Sequence, residues 1–254
     1  MARCVLLAGE QSVQRASVGR WHNPDNQGLS VIRRPAADRL EKDLLERVGD
    51  AAFPCLGAKS ALARGTLKVL ACHSLCSTWD DLRIHRELLG WAIDYASQPE
   101  GLRSLAVVFE GPLDLDEAAF ERAMWNRIQS FADKDHWLGL PYDARVSADP
   151  DDPHFSLSFG GEAFFVIGLH PHSSRPGRRF PAPTLVFNLH DQFERLREEG
   201  KYERMRQRIV ERDTQLAGEP NPMLSRFGES SEARQYSGRQ VGPEWRCPFR
   251  DPRG

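Results

Sequence analysis

The chain has 254 residues, 40% hydrophobic and 28% charged, which is enough apolar material for a proper core without disulfide staples. Its 34 basic and 36 acidic side chains leave a net charge of -2, so the electrostatic footprint of a nucleic-acid or anionic-membrane binder is missing. No apolar run approaches the ~18–20 residues of a membrane helix. Met1 to Gly9 has no cleavage-like sequel, so no signal peptide is expected. The cysteines Cys4, Cys55, Cys72, Cys76 and Cys247 are odd in number, which favours reduced thiols in a cytoplasm.

Residues 1–35 show no sustained period and read as an irregular N-terminal arm; residues 36–254 read as one domain. From Ala36 to Val48, Leu40, Leu44, Leu45 and Val48 recur at helical spacing among charges. Phe53-Pro54-Cys55 breaks that helix, because proline disfavours the helical conformation of the residue before it. A short helix over Ala58–Ala63 precedes a strand over Thr66–Cys72. Trp79–Ala96 is a helix with Leu82, His85, Leu89, Ala92 and Ile93 on one stripe. Leu105–Phe109 is a continuous apolar strand, as expected of one buried on both faces.

Asp116 is placed to cap a helix whose inner face is Phe120, Met124, Ile128 and Phe131. Phe155–Phe159 and Ala163–Leu169, joined by Gly160-Gly161, predict a hairpin. Thr184–Phe187 is a further strand, and a helical region runs from Phe193 to about Ala217. The rest is a polar, Pro/Gly-punctuated tail. One strand pair is a hairpin and the others interleave with helices. The fold class is therefore mixed α/β: a mixed sheet flanked by helices, with a long docked C-terminal loop segment.

Chemistry concentrates in three places. The run His170-Pro171-His172-Ser173-Ser174-Arg175-Pro176-Gly177-Arg178-Arg179 follows a buried strand and brings imidazoles, hydroxyls and guanidinium forks together. Such a loop suits a metal or an oxyanion, and its plain reading is a solvated basic loop. His190, between a strand and a helix, lies where α/β sites commonly form; its plain reading is packing beside a cap at Asn188 or Asp191. In the tail, Glu229 and Glu232 are able to receive a cation, or are surface acids neutralised by Arg234 and Arg239. Cys72, His73 and Cys76 lack the second pair that zinc needs and read as ordinary thiols, and His85 reads as a satisfied core histidine. Phosphate-loop, dinucleotide and serine-hydrolase signatures are absent.

Four blocks in order carry a resemblance. They are Phe53-Pro54-Cys55; His170-Pro171 leading into Ser173-Ser174-Arg175 and Arg178-Arg179-Phe180; Phe187-Asn188 with His190 and Gln192-Phe193; and a tail from Asn221 through Phe227-Gly228-Glu229-Ser230-Ser231-Glu232 to Trp245-Arg246-Cys247-Pro248-Phe249. Together they resemble the YqcI/YcgG family over about residues 50–250. Members with an assigned role are heme-dependent N-hydroxylases of guanidino compounds, among them the pre-guanitoxin N-hydroxylase and the arginine N-hydroxylase of D-cycloserine biosynthesis.

The resemblance implies a heme b enzyme that uses molecular oxygen and an external electron donor to oxidise a small guanidino substrate, L-arginine first, to Nω-hydroxy-L-arginine. Such an enzyme would serve a natural-product pathway, with a separate reductase as partner. In such an enzyme His170 is the first-choice iron ligand, His190 the rival ligand or a distal proton donor, and Cys55 and Cys247 the thiolate alternatives. Arg175, Arg178 and Arg179 would meet the heme propionates. Glu229 and Glu232 would receive the guanidinium, with Gln235 or Tyr236 as neutral partners and an arginine of the tail for the substrate's own carboxylate. The competing expectations are a non-catalytic heme or small-ligand binding protein, and a metal-dependent hydrolase using His170, His172 and His190.

Overall fold

A computed structural model describes residues 35–253. The expected N-terminal arm lies, but for its last residue, outside the described residues. Helices α1 (Pro35–Gly49) and α2 (Leu56–Ala63) come first, followed by β1 (Leu67–Ser74), α3 (Asp81–Ser97), β2 (Ser104–Gly111) and α4 (Glu117–Trp137). The hairpin β3 (Leu157–Phe159) and β4 (Glu162–Leu169) leads through a tight turn at Pro176–Arg178 to β5 (Thr184–Leu189). Helices α5 (Asp191–Glu198), α6 (Tyr202–Ala217) and α7 (Ala233–Tyr236) complete the chain.

The strands form one sheet in the order β1-β2-β5-β4-β3. Only β1 and β2 run parallel, which their crossover through α3 requires; the other pairs are antiparallel. The sheet is therefore mixed, as the hairpin and the interleaved helices predict. Gly160 and Gly161 both adopt positive φ (63° and 83°), the conformation a two-residue hairpin turn asks of its central pair.

Side-chain alternation gives the sheet two unlike faces. Leu105, Val107 and Phe109 of β2, Phe164 and Val166 of β4, and Leu185, Phe187 and Leu189 of β5 point to the face covered by α3, α4 and the end of the tail. Phe131, Phe159, Phe164 and Phe187 interlock there with ring centroids 5.9–6.4 Å apart, edge-on or tilted. Such contacts add about 0.5–1.5 kcal/mol each beyond burial. The opposite face presents Ala106, Val108 and Leu169 to α1, Phe53 and Phe180, and past them it is open enough to form a cleft.

Two local expectations change. The Phe193–Ala217 helix is broken into α5 and α6 at Gly200, whose positive φ of 66° ends the first helix. On α3 the buried stripe is Ile84, His85, Leu88, Ala92 and Tyr95, whereas Leu82 and Ile93 are exposed. The helix is rotated so that His85 reaches Asp135 of α4 at 2.6 Å, making it the satisfied core histidine its position predicts. Asp116 caps α4 as expected, accepting from the Ala119 amide at 2.7 Å. No helix among the described residues is long and apolar enough to cross a membrane.

Candidate functional site

The cleft lies between the second face of the sheet and α6. Ala106, Phe165, Ile167 and Val186 form its floor, and Met205, Ile209 and Val210 of α6 form its outer wall. Its free volume is about 260 Å³, just below the ~300–1,000 Å³ of ordinary small-molecule pockets. No residue of the sixteen-residue α6 is fully buried, so the helix walls the cleft without being enclosed itself.

Polar groups gather at two ends. At the first, Cys55 is the N-cap of α2 and its sulfur accepts from the Ala58 amide at 3.4 Å. Burial pushes the thiol's pKa up, while the Ala58 and Gly57 amides and the charges of Arg178 and Lys59 pull it down. Arg178 donates to the carbonyls of Gly168, Tyr236 and Gln235, and burial presses its own pKa down to about 10. Arg175 holds Asp213 of α6 through Nε at 2.8 Å. Gly177 lets these segments meet, since a Cβ there would lie 2.7 Å from Asp213 Oδ1 and 3.2 Å from Pro54.

At the second end stand His190 and Glu232, both buried. His190 Nε2 is 3.1 Å from Glu194, its ring meets Phe227 edge-on at 4.5 Å, and its Nδ1 lies 3.9 Å from Glu232 without a hydrogen-bond partner among the described residues. Burial lowers the His190 pKa. Burial also raises Glu232 to about 8, although Tyr236 Oη donates to it at 3.2 Å and Ser156 and Arg197 favour its charged form.

The structure thus brings Cys55, Arg175, Arg178, His190, Glu232 and Gln235 to one cleft and leaves the other expected residues elsewhere. His170 follows β4 on the opposite face, stacked on Phe120 with centroids 4.3 Å apart and 18° between planes. It is buried, burial lowers its pKa to about 4, and it does not line the cleft. Alternation is the reason: Phe165, Ile167 and Leu169 face the cleft, so Gly168 and His170 cannot. Cys247 is buried in the main core with its thiol pushed up to about 12. Arg179 is exposed and donates to Ser173 and Ser174, closing its own loop. Glu229 is exposed and paired with Arg226, and Tyr236 packs behind Glu232 in the main core. The cap expected at Asn188 or Asp191 is not made; Asp191 instead accepts from Tyr95 and Arg195.

Sequence reasoning missed Arg197, Arg206 and Asp213, which also line the cleft. Arg197 lies in α5 and Arg206 and Asp213 in α6; the region was visible as an apolar stripe, but nothing in a stripe tells whether it faces a core or a cavity. Among the described residues no group of three or more His, Cys, Asp and Glu is placed to hold a metal ion, and of His170, His172 and His190 only His190 lines the cleft.

The YqcI/YcgG family model matches residues 42–250, nearly all of the described fold. The chain belongs to the YqcI/YcgG family. The matched span takes in both ends of the cleft and the tail that closes it. No curated protein and no solved structure matches the chain.

A heme needs an axial donor, apolar walls and cations for its propionates, and the donor set of the cleft fits these needs. Cys55 presents a sulfur at a helix N-terminus and the walls are aliphatic and aromatic. Arg175 Nη1 and Arg178 Nε make no hydrogen bond among the described residues and remain available to an acid. The volume is small for a porphyrin with a substrate, so α6 would have to yield to admit them.

Proposed function

We propose that this protein is a heme-dependent monooxygenase that N-hydroxylates a guanidino group, with free L-arginine as substrate and Nω-hydroxy-L-arginine as product. The observation that carries the reading is an apolar cleft with a thiol at one end and a buried carboxylate, Glu232, at the other. In this reading Cys55 would hold the iron and Arg175 and Arg178 would meet the propionates. A thiolate-ligated heme would supply cleavage of the O–O bond of dioxygen, because the sulfur donates electron density to the iron.

The chain's own residues do the rest. Glu232 accepts the guanidinium, whose fixed charge and five donors match a carboxylate. Tyr236 and Ser156 hold that carboxylate in place from behind. His190, neutral and adjacent, passes protons between the substrate end and Glu194. Phe227 and the α6 wall keep bulk water from the reacting nitrogen. The reaction consumes dioxygen, two electrons and two protons and releases water, so a separate reductase delivers the electrons.

The absorption spectrum of the purified protein, reduced and under carbon monoxide, tests the reading. A Soret band with the red-shifted carbon monoxide band of a thiolate ligand is the expected result, together with arginine-dependent formation of the N-hydroxy product. A colourless protein that takes up no added hemin would sink it.

A further inference from the structure

The cleft has more cations than its described partners use up. Arg175 is held by Asp213 and the Glu219 carbonyl, and Arg178 by three carbonyls. Arg197 is paired with Glu194 and stacked over Tyr202 at 4.2 Å. Arg206 also lines the cleft, from α6, yet it makes no hydrogen bond or ion pair among the described residues. The carboxylates whose field it feels, Glu203 and Glu229, are both taken by Arg226. Three of the tail arginines, where an arginine was expected to meet a substrate acid, are committed elsewhere. Arg226 binds those two glutamates, Arg234 donates to the Gly242 carbonyl, and Arg239 donates to Glu121.

Arg206 is close enough to the Arg226–Glu229 turn for its charge to act there. Glu229, which feels its charge, belongs to the turn that carries Phe227 onto His190, and His190 stands beside Glu232. The lining of the cleft thus includes both a buried carboxylate, Glu232 of the tail, and a guanidinium without a described partner, Arg206 of α6. That pair matches a molecule with a cation at one end and a carboxylate at the other. A planar fork binds a carboxylate through two parallel N–H bonds, which a lone ammonium cannot do.

From this juxtaposition, and resting on the guanidino reading above, we infer that Arg206 is the receptor for the substrate's α-carboxylate. It would make the enzyme selective for guanidino acids over decarboxylated guanidino amines.

Calorimetric titration of the holoprotein with L-arginine and with agmatine, the same molecule without its carboxylate, tests this. The titrations use wild type, Arg206→Ala and Arg206→Lys, with heme content measured on each. Alanine is a good helix former, and no α6 residue is fully buried, so the variant keeps its fold. Loss of a charge-assisted fork should weaken L-arginine by about 10- to 100-fold, leave agmatine within about twofold, and leave heme content unchanged. Lysine should restore part of the affinity. Equal weakening of both ligands, or no weakening of arginine, overturns the assignment. A fall in heme content also overturns it, since the carboxylate served would then be a propionate. If wild type binds neither ligand, the guanidino reading itself fails; if both bind and Arg206→Ala changes neither, only the Arg206 assignment fails.

Discussion

Cys55 and His170, the latter ranked first on sequence context, sit on opposite faces of one sheet. The difference reduces to strand parity, because Leu169 faces the cleft and its neighbour therefore does not. Cys55→Ser should abolish the heme Soret band. His170→Ala should keep it while lowering stability by about 2–4 kcal/mol in urea unfolding, the cost of deleting a buried ring. Heme lost from the His170 variant and kept in the Cys55 variant would reverse the ligand assignment. Glu232 makes a pH prediction. Its pKa of about 8 means that below pH 8 it is mostly protonated, and a guanidinium must displace that proton to bind. Affinity for L-arginine should therefore fall by up to about tenfold per unit as pH drops below 8 and level off above it. Glu232→Gln should bind more weakly and without that slope; a flat wild-type profile between pH 6 and 9 would contradict the role.

Among the described helices, α6 alone buries no residue. Its partners are α5, α2 and the Pro176–Arg178 turn, it is flanked by Gly200 and Gly218, both at positive φ, and Arg175–Asp213 is its buried tether. Hydrogen exchange should accordingly be faster along α6 than along α4, which buries ten residues, and should slow when heme is added. Exchange as slow in α6 as in α4 without cofactor would mean that the wall does not yield. Much at this scale was legible beforehand. The hairpin, the α4 cap and the doubly buried β2 each rest on local chemistry. The break at Gly200 and the rotation of α3 were not, because both are decided by what the helix packs against. Leu82 and Leu88 read alike until Asp81 and His85 are seen to bond to α4.

For the molecule as a whole, the tail binds the cleft to the core. Glu232 and Gln235 line the cleft while Ala233 and Tyr236, one residue on, enter the main core. Glu121, buried in α4, anchors the chain beyond Tyr236 by accepting from Ser237, Arg239 and Trp245. Glu121→Ala leaves a partly buried guanidinium unpaired and should cost about 3–5 kcal/mol, with loss of arginine binding although position 121 is outside the cleft. A shift of less than about 1 kcal/mol in urea unfolding would show that the tail docks by its aromatics alone. Gly168 is equally committed, because a Cβ there would lie 2.6 Å from Phe120 and 3.1 Å from the Tyr236 carbonyl. The tail's composition identified it as docked, but Glu121 gave no sign of receiving it, since an acid on an amphipathic helix normally faces water. The two faces of the sheet finally separate two kinds of selection. Mutations that unfold the protein fall on the phenylalanine side and on Glu121. Those expected to change binding without unfolding the protein include α6, which contributes no residue to the main core. A lineage built on this plan is free to replace its outer wall and drift between substrates while its folding stays intact.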